Sequence, residues 1–222
     1  KKTTGLQLRV TEGGQKPAKN EIMLSPKNGI DSLGNEGYTL SVSPENIAVN
    51  ANKPAGVFYG TETIYQLLPV EKSNLKNATS ILIPAVEIAD KPRFPWRGLM
   101  LDVGRYFYSV DFIKKYIDEL AMHKMNTFHW HLTEDHGWRI EIKKYPRLTE
   151  VGAWRDGTQF DRFKDHINHN PHGGYYTQDQ IREVVKYAQD RFVNVVPEME
   201  MPGHTLAVLV AYPELSCTGG PF

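Results

Sequence analysis

Between residues 96 and 222 apolar segments with two different periods take turns, and that order constrains the chain more than any other feature. Short apolar runs at residues 98–103, 126–132 and 193–197 have the length and β-branched content of buried strands. Between them, Ile113, Tyr116, Ile117 and Leu120, and later Ile181, Val184, Val185 and Ala188, recur at helical spacing over residues 110–124 and 177–191. The order is βαβαβ. Strands joined through amphipathic helices run parallel and are covered by those helices, so the fold class is α/β, either a (β/α) barrel or an open doubly wound sheet. No Gly-x-Gly-x-x-Gly follows the first strand, which favours the barrel. A closed (β/α)8 TIM barrel needs eight strands and typically roughly 250 residues. Residues 91–222 are therefore expected to hold only its first strands, as the truncated N-terminal part of a barrel with an exposed sheet edge.

A different pattern precedes this one. Leu6, Leu8 and Val10, then Tyr38, Leu40 and Val42, then Ile47 and Val49 alternate as strands do, with Gly, Pro and Asn clusters between them. Val57, Ile64, Leu67 and Leu68 suggest the buried face of a helix closed by Pro69. Residues 1–90 are thus expected to form a small α+β domain, followed by a proline-bearing linker at residues 91–95. This part lacks clustered His, Cys or carboxylate groups and is expected to be structural. Asn77-Ala78-Thr79 fits a glycosylation sequon, a match short enough to arise by chance.

Lys plus Arg equal Asp plus Glu at 26 each, so the chain has no net field to gather phosphates, which argues against nucleic acid and for a neutral ligand. The single cysteine, Cys217, excludes an intrachain disulfide. No apolar run is long enough for a membrane span. The chain opens on Lys1, so a processed or truncated N-terminus is expected.

In a (β/α) barrel, reactive groups lie at the C-terminal ends of the strands. The three predicted strands end in Asp102-Val103-Gly104-Arg105, in the run from His129 to Asp135, and in the run from Pro197 to His204. His129 and His131, two apart on a strand, face one side while Trp130 faces the other. With Asp135, Glu200 and His204 they have the composition of a divalent metal site, and a metal-dependent barrel hydrolase is one reading. Histidines hydrogen-bonded to carboxylates in the barrel mouth are the simpler one. Trp96, Trp130, Trp138 and Trp154 are candidates for stacking on a sugar ring or for packing. His166, His169 and His172 are expected in a solvated loop.

The runs Trp96 to Arg105, His129 to Arg139 and Pro197 to His204, in that order, resemble glycoside hydrolase family 20, the β-N-acetylhexosaminidases. Residues 38–68, with Gly56-Val57-Phe58-Tyr59-Gly60, resemble the small domain that precedes the barrel in that family. The resemblance implies an exo-acting hydrolase of terminal β-linked N-acetylglucosamine or N-acetylgalactosamine that needs no cofactor and no metal. It implies that Arg105 binds ring hydroxyls, and that Glu134 and Asp135 with His204 form a polar relay, supported by His131 and Glu200. Glu134 stands where many members have aspartate. The adjacent Asp-Glu pair that protonates the leaving group is expected beyond Phe222, in the remainder of the barrel, and a secreted or periplasmic location is expected. A non-catalytic carbohydrate-binding fragment is the remaining alternative.

Overall fold

The structure is a computed structural model that describes residues 8–13, 17–69, 80–159, 167–220 and 222. The chain divides after Pro95 into two compact units. Leu6, the sequon Asn77-Ala78-Thr79 and His166 lie outside the described residues.

In the first unit, β1 (Ile22–Ser25), β2 (Tyr38–Val42), β3 (Ile47–Ala51) and β4 (Val86–Asp90) form one sheet in the order β1-β3-β2-β4. All pairings are antiparallel except β1 with β3. Alternation along β2 sends Tyr38, Leu40 and Val42 to one face, where they pack with Val49, Ala51 and Tyr59. Tyr59 comes from α1 (Pro54–Gln66), which starts on a proline that needs no N–H partner. The fully buried face of α1 is Gly56, Tyr59, Gly60 and Thr63 rather than the stripe of Val57, Ile64, Leu67 and Leu68. Close approach is the reason. A Cβ on Gly60 would come within 2.4 Å of Val49 Cγ1, and one on Gly56 within 2.3 Å of the Gly37 carbonyl, so the glycines let the helix lie down on the sheet while the larger side chains flank it. The Tyr38 hydroxyl meets Thr63 Oγ1 at 2.6 Å and donates to Asp90 at 3.0 Å, which satisfies the polar groups at this contact. Leu8 and Val10 lie outside any strand and are exposed: alternation without a partner strand buries nothing.

The second unit contains the α/β part of the chain. Here β5 (Gly98–Asp102), α2 (Val110–Met122), β6 (Thr127–His131), α4 (Gln178–Gln189) and β11 (Asn194–Glu198) realise the βαβαβ order. The three strands are parallel in the order β11-β6-β5, the opening part of a (β/α) barrel. Ser109 caps α2 by accepting from the Phe112 N–H, and Thr177 with Gln180 forms a capping box on α4. Ile113, Ile117 and Leu120 of α2 and Val184 and Ala188 of α4 are buried, as are Phe128 and Trp130 on the helix side of β6. Tyr187 of α4, and Arg191 just beyond it, bond Asp118 of α2. The edge strand β5 leaves Leu99 and Met100 exposed, and Val195 and Val196 of the other edge strand, β11, are only half-buried. No helix among the described residues is long and apolar enough to cross a membrane.

The segment from Thr133 to Tyr176, between β6 and α4, carries five short elements among its described residues. They are the hairpin β7 (Thr133–Glu134) and β8 (Gly137–Trp138), then α3 (Arg147–Glu150), then the pair β9 (Trp154–Arg155) and β10 (His172–Gly173). After β11 comes α5 (Leu206–Ala211), whose Ala207, Val208 and Ala211 pack on Trp138 and Leu148. This contact holds the long segment against the C-terminal ends of the strands.

Candidate active site

Parallel pairing sets the first feature of the site. The register places Asp102, His131 and Glu198 side by side at the C-terminal ends of β5, β6 and β11, all on the face opposite the helices. His129 Nε2 and His131 Nδ1 both lie 2.6 Å from Glu198 Oε2. Two imidazole N–H groups therefore donate to one carboxylate oxygen, the arrangement of histidines on a carboxylate in the barrel mouth. Burial alone would raise the Glu198 carboxyl, but the hydrogen bonds with His131, Glu200 and His129 outweigh it and bring the group down to about 2. Sequence reasoning does not single out Glu198, which stands unremarked between Pro197 and Met199. Counting residues from the start of each strand would have placed it level with His131.

A depressed carboxyl makes a pH prediction. Its folded value lies below the unfolded 4.5, so the stability it contributes is fully present above about pH 4.5 and is lost as the pH falls towards 2. The unfolding midpoint in urea is expected to drop between pH 5 and pH 3, and Glu198→Gln is expected to flatten that part of the profile. An unchanged profile in the variant would remove the histidine pair as the cause.

A second group gathers beside the first. Gly104 allows it, because a Cβ there would approach Glu134 Cβ to 2.7 Å, and only glycine lets the turn after β5 lie on β7. The next residue, Arg105, reaches both Asp102 and Glu134 with its guanidinium, and its backbone N–H donates to Asp102 Oδ1 at 2.9 Å. The hydrogen bond to Asp102, with the charges of Asp102, Glu134 and Asp135, raises the Arg105 pKa against a smaller effect of burial. Glu134 is 2% exposed, and its second oxygen accepts from the Asp135 N–H. A carboxylate buried to this degree needs charged partners. Arg105 is one and His204 is the other: His204 Nδ1 lies 2.9 Å from Glu134 Oε2 and donates to Asp135 Oδ2 at 3.2 Å. These contacts raise the His204 pKa, the hydrogen bond to Asp135 first and the charge of Glu134 second. His204 has φ 48°, a left-handed backbone that few side chains adopt, and it turns the ring back towards the strand ends. It caps no helix. Asp135 does that, accepting from the Leu206 N–H of α5 at 3.0 Å.

The predicted residues thus fall into two neighbouring sets. Arg105, Glu134, Asp135 and His204 come together. His131 and Glu200 join Glu198 instead, and the Glu200 N–H donates to Thr133 Oγ1 at 2.8 Å. Either set has donor atoms within 4.8 Å of one another, and imidazole with carboxylate suits a divalent ion. In the set of Glu134, Asp135 and His204 the Arg105 guanidinium already lies against Glu134 and His204 Nδ1 against both carboxylates, so these oxygens have partners within the protein. Of the four tryptophans, Trp130 and Trp138 are core, whereas Trp96 and Trp154 are exposed. His169 is exposed, but His172 is not a free loop residue: its Nε2 accepts from the Phe107 N–H at 2.9 Å.

Arg139 underlies the whole arrangement. It is completely buried and donates to the carbonyls of Val103, Gly104, Ala153 and Gly174, with no carboxylate paired to it among the described residues. Burial, helped by the charge of Arg155, lowers its pKa to about 10, so it stays charged at neutral pH. Gly137 leaves the space it fills, since a Cβ there would come within 2.2 Å of Nη2. The guanidinium ties the turn that carries Arg105 to the long segment after β6. A lone arginine in a polar motif gives no sign of this, because its partners are main-chain carbonyls, four of them remote in sequence and one that of His136.

The fold and site together define a (β/α)-barrel protein whose ionisable groups converge at the strand ends, where such barrels place their active sites. Residues 94–221 match the glycosyl hydrolase family 20 catalytic domain, and residues 1–91 match glycosyl hydrolase family 20, domain 2. The chain belongs to glycoside hydrolase family 20. It is 49% identical over 213 residues to a beta-hexosaminidase of Porphyromonas gingivalis, covering 93% of this chain and 25% of the relative. Among solved structures, it resembles a mutant Streptomyces plicatus beta-hexosaminidase in complex with its product GlcNAc, at 38% identity and a TM-score of 0.82 over 98% of this chain and 40% of that one. It also resembles an exo beta-N-acetylglucosaminidase of Vibrio harveyi in complex with N-acetylglucosamine, at 39% identity and a TM-score of 0.76 over 88% and 29%. The chain spans between a quarter and two fifths of the length of these three proteins.

Proposed function

We propose that this chain supplies the sugar-gripping side of an exo-acting β-N-acetylhexosaminidase that removes terminal β-linked N-acetylglucosamine or N-acetylgalactosamine. The observation that carries the reading is the convergence of Arg105, Glu134, Asp135 and His204 at the strand ends of a family 20 barrel. Arg105 is held by Asp102 and Glu134 through two of its N–H groups, and the rest of its fork is available to two adjacent ring hydroxyls. His204 and Asp135 act as a polar relay that supports the general acid and helps it keep its proton. In this reading the acetamide oxygen of the substrate attacks its own anomeric carbon while an acid protonates the leaving oxygen, a departure from the two-carboxylate scheme. The acid and its aspartate neighbour are assigned to a barrel strand outside these 222 residues.

Turnover of an aryl N-acetyl-β-glucosaminide tests this. An enzyme with the remaining barrel strands joined to this chain is expected to release the aryl alcohol, and to do so equally in chelator. Loss of turnover in chelator would move the site to metal chemistry, and absence of turnover with and without added divalent ions would leave only sugar binding.

A further inference from the structure

Trp154 stands outside the site described above, and its surroundings point to a ligand. It is 57% exposed, yet its ring is held: Nε1 donates to the Thr149 carbonyl at 3.0 Å. Behind it runs Gly173, its partner in the β9–β10 register, so close that a Cβ there would come within 2.4 Å of Trp154 Cε3. Part of the indole is thus packed on main chain and fixed, while more than half of the residue's surface remains open to water. A large aromatic surface held in one orientation loses little entropy when something stacks on it. It borders an open pocket of about 640 Å³ lined also by Arg155, Asp156, Pro171 and His172, within the size of ordinary small-ligand sites.

The polar groups around the pocket narrow the ligand. The Arg155 guanidinium is already engaged by Thr158 Oγ1 and the His136 carbonyl. His172 accepts the Phe107 N–H on Nε2 and stacks on Tyr106 at 4.1 Å, so it presents a neutral ring. Burial, with the charges of Arg155 and Arg139, lowers its pKa in agreement. Asp156 has no hydrogen-bonded or ionic partner among the described residues and can accept from hydroxyls. An aromatic face and a carboxylate that can accept from hydroxyls suit a polyhydroxylated neutral ring, and the carboxylate disfavours a phosphate or an acidic sugar.

We propose that this pocket binds a pyranose ring of a neutral glycan, stacked on Trp154 and hydrogen-bonded to Asp156, as a second sugar site separate from the one at Arg105. Tyr106 and Phe107, the two residues after Arg105, reach His172, so the pocket lies on the same barrel rim. The choice of an N-acetylhexosamine chain as ligand rests on the function proposed above. The second site would hold another part of a long glycan while its end is trimmed.

Binding of a β-1,4-linked N-acetylglucosamine hexamer to the 222-residue chain, measured by titration calorimetry, tests the proposal. Trp154→Ala in an Arg105→Ala background is expected to raise Kd about tenfold, and Asp156→Ala in the same background to raise it several-fold. Circular dichroism identifies any variant that has lost its fold, and Asp156→Ala, an exposed polar change, serves as the second arm. If Arg105→Ala alone abolishes binding, the pocket proposal fails while the reading of Arg105 stands. If Arg105→Ala changes nothing and Trp154→Ala removes binding, the pocket stands and the assignment of Arg105 fails. Hexamer binding unaffected by Trp154→Ala and Asp156→Ala, or no binding at millimolar hexamer, overturns the second site.

Discussion

Arg139→Met is expected to lower the unfolding free energy by about 3–5 kcal/mol, a large loss for a single substitution. Methionine fills much of the same space without donors, so the carbonyls of Val103, Gly104 and Ala153 lose their shared partner at buried positions. An unsatisfied buried acceptor costs roughly 1–3 kcal/mol, and two are left so, at Val103 and Gly104, because the Ala153 carbonyl keeps the Gly174 N–H; together they account for about 2–6 kcal/mol, which spans the expected loss. Arg139→Lys is expected to recover only part of it, because one ammonium cannot span carbonyls arranged around a planar fork. Urea unfolding followed by tryptophan emission measures this, since the buried Trp130 and Trp138 both lie in the second unit. A loss below about 1 kcal/mol would mean that water replaces the guanidinium, and that the turn carrying Arg105 is held by other contacts.

Arg105→Ala is expected to reduce kcat/KM for an aryl N-acetyl-β-glucosaminide by about 10- to 100-fold in the enzyme with its remaining barrel strands. One charged hydrogen bond contributes roughly 1.5–3 kcal/mol, and each ~1.36 kcal/mol is a factor of ten. Among the described residues the alanine variant also leaves Glu134, 2% exposed, with only His204 as a basic partner, so part of the loss is structural. Arg105→Lys separates the two effects. Lysine can still neutralise Glu134 but cannot offer a fork to adjacent hydroxyls, so the fold is expected to recover while kcat/KM stays at least about tenfold low. Full activity in Arg105→Lys would make the arginine a rim ion pair with Asp102 and Glu134 and nothing more.

Some of this is legible in the residues. The two faces of β6 follow from period-two geometry, which puts His129 and His131 opposite Trp130. The helices α2 and α4 follow from their apolar stripes and caps. Glu198 escapes such reasoning because its role depends on register across the sheet, and Arg139 because its partners are carbonyls. The buried face of α1 differs from the expected stripe because hydrophobicity ranks valine and leucine above glycine, whereas contact with a sheet rewards the residue that lets two backbones approach. Leu8 and Val10 alternate like a strand yet have no partner strand among the described residues.

Local chemistry, written in the order of residues, determined the βαβαβ sequence, the polar strand ends and the family to which the chain belongs, because periodicity and motifs are properties of neighbours in the chain. Only the tertiary structure decided which carboxylate each histidine meets, that Arg105 is shared between Asp102 and Glu134, and that Trp154 stands open against Gly173. Apart from the contact of Arg105 with Asp102, those pairings join residues far apart in sequence, whose distances packing and strand register set.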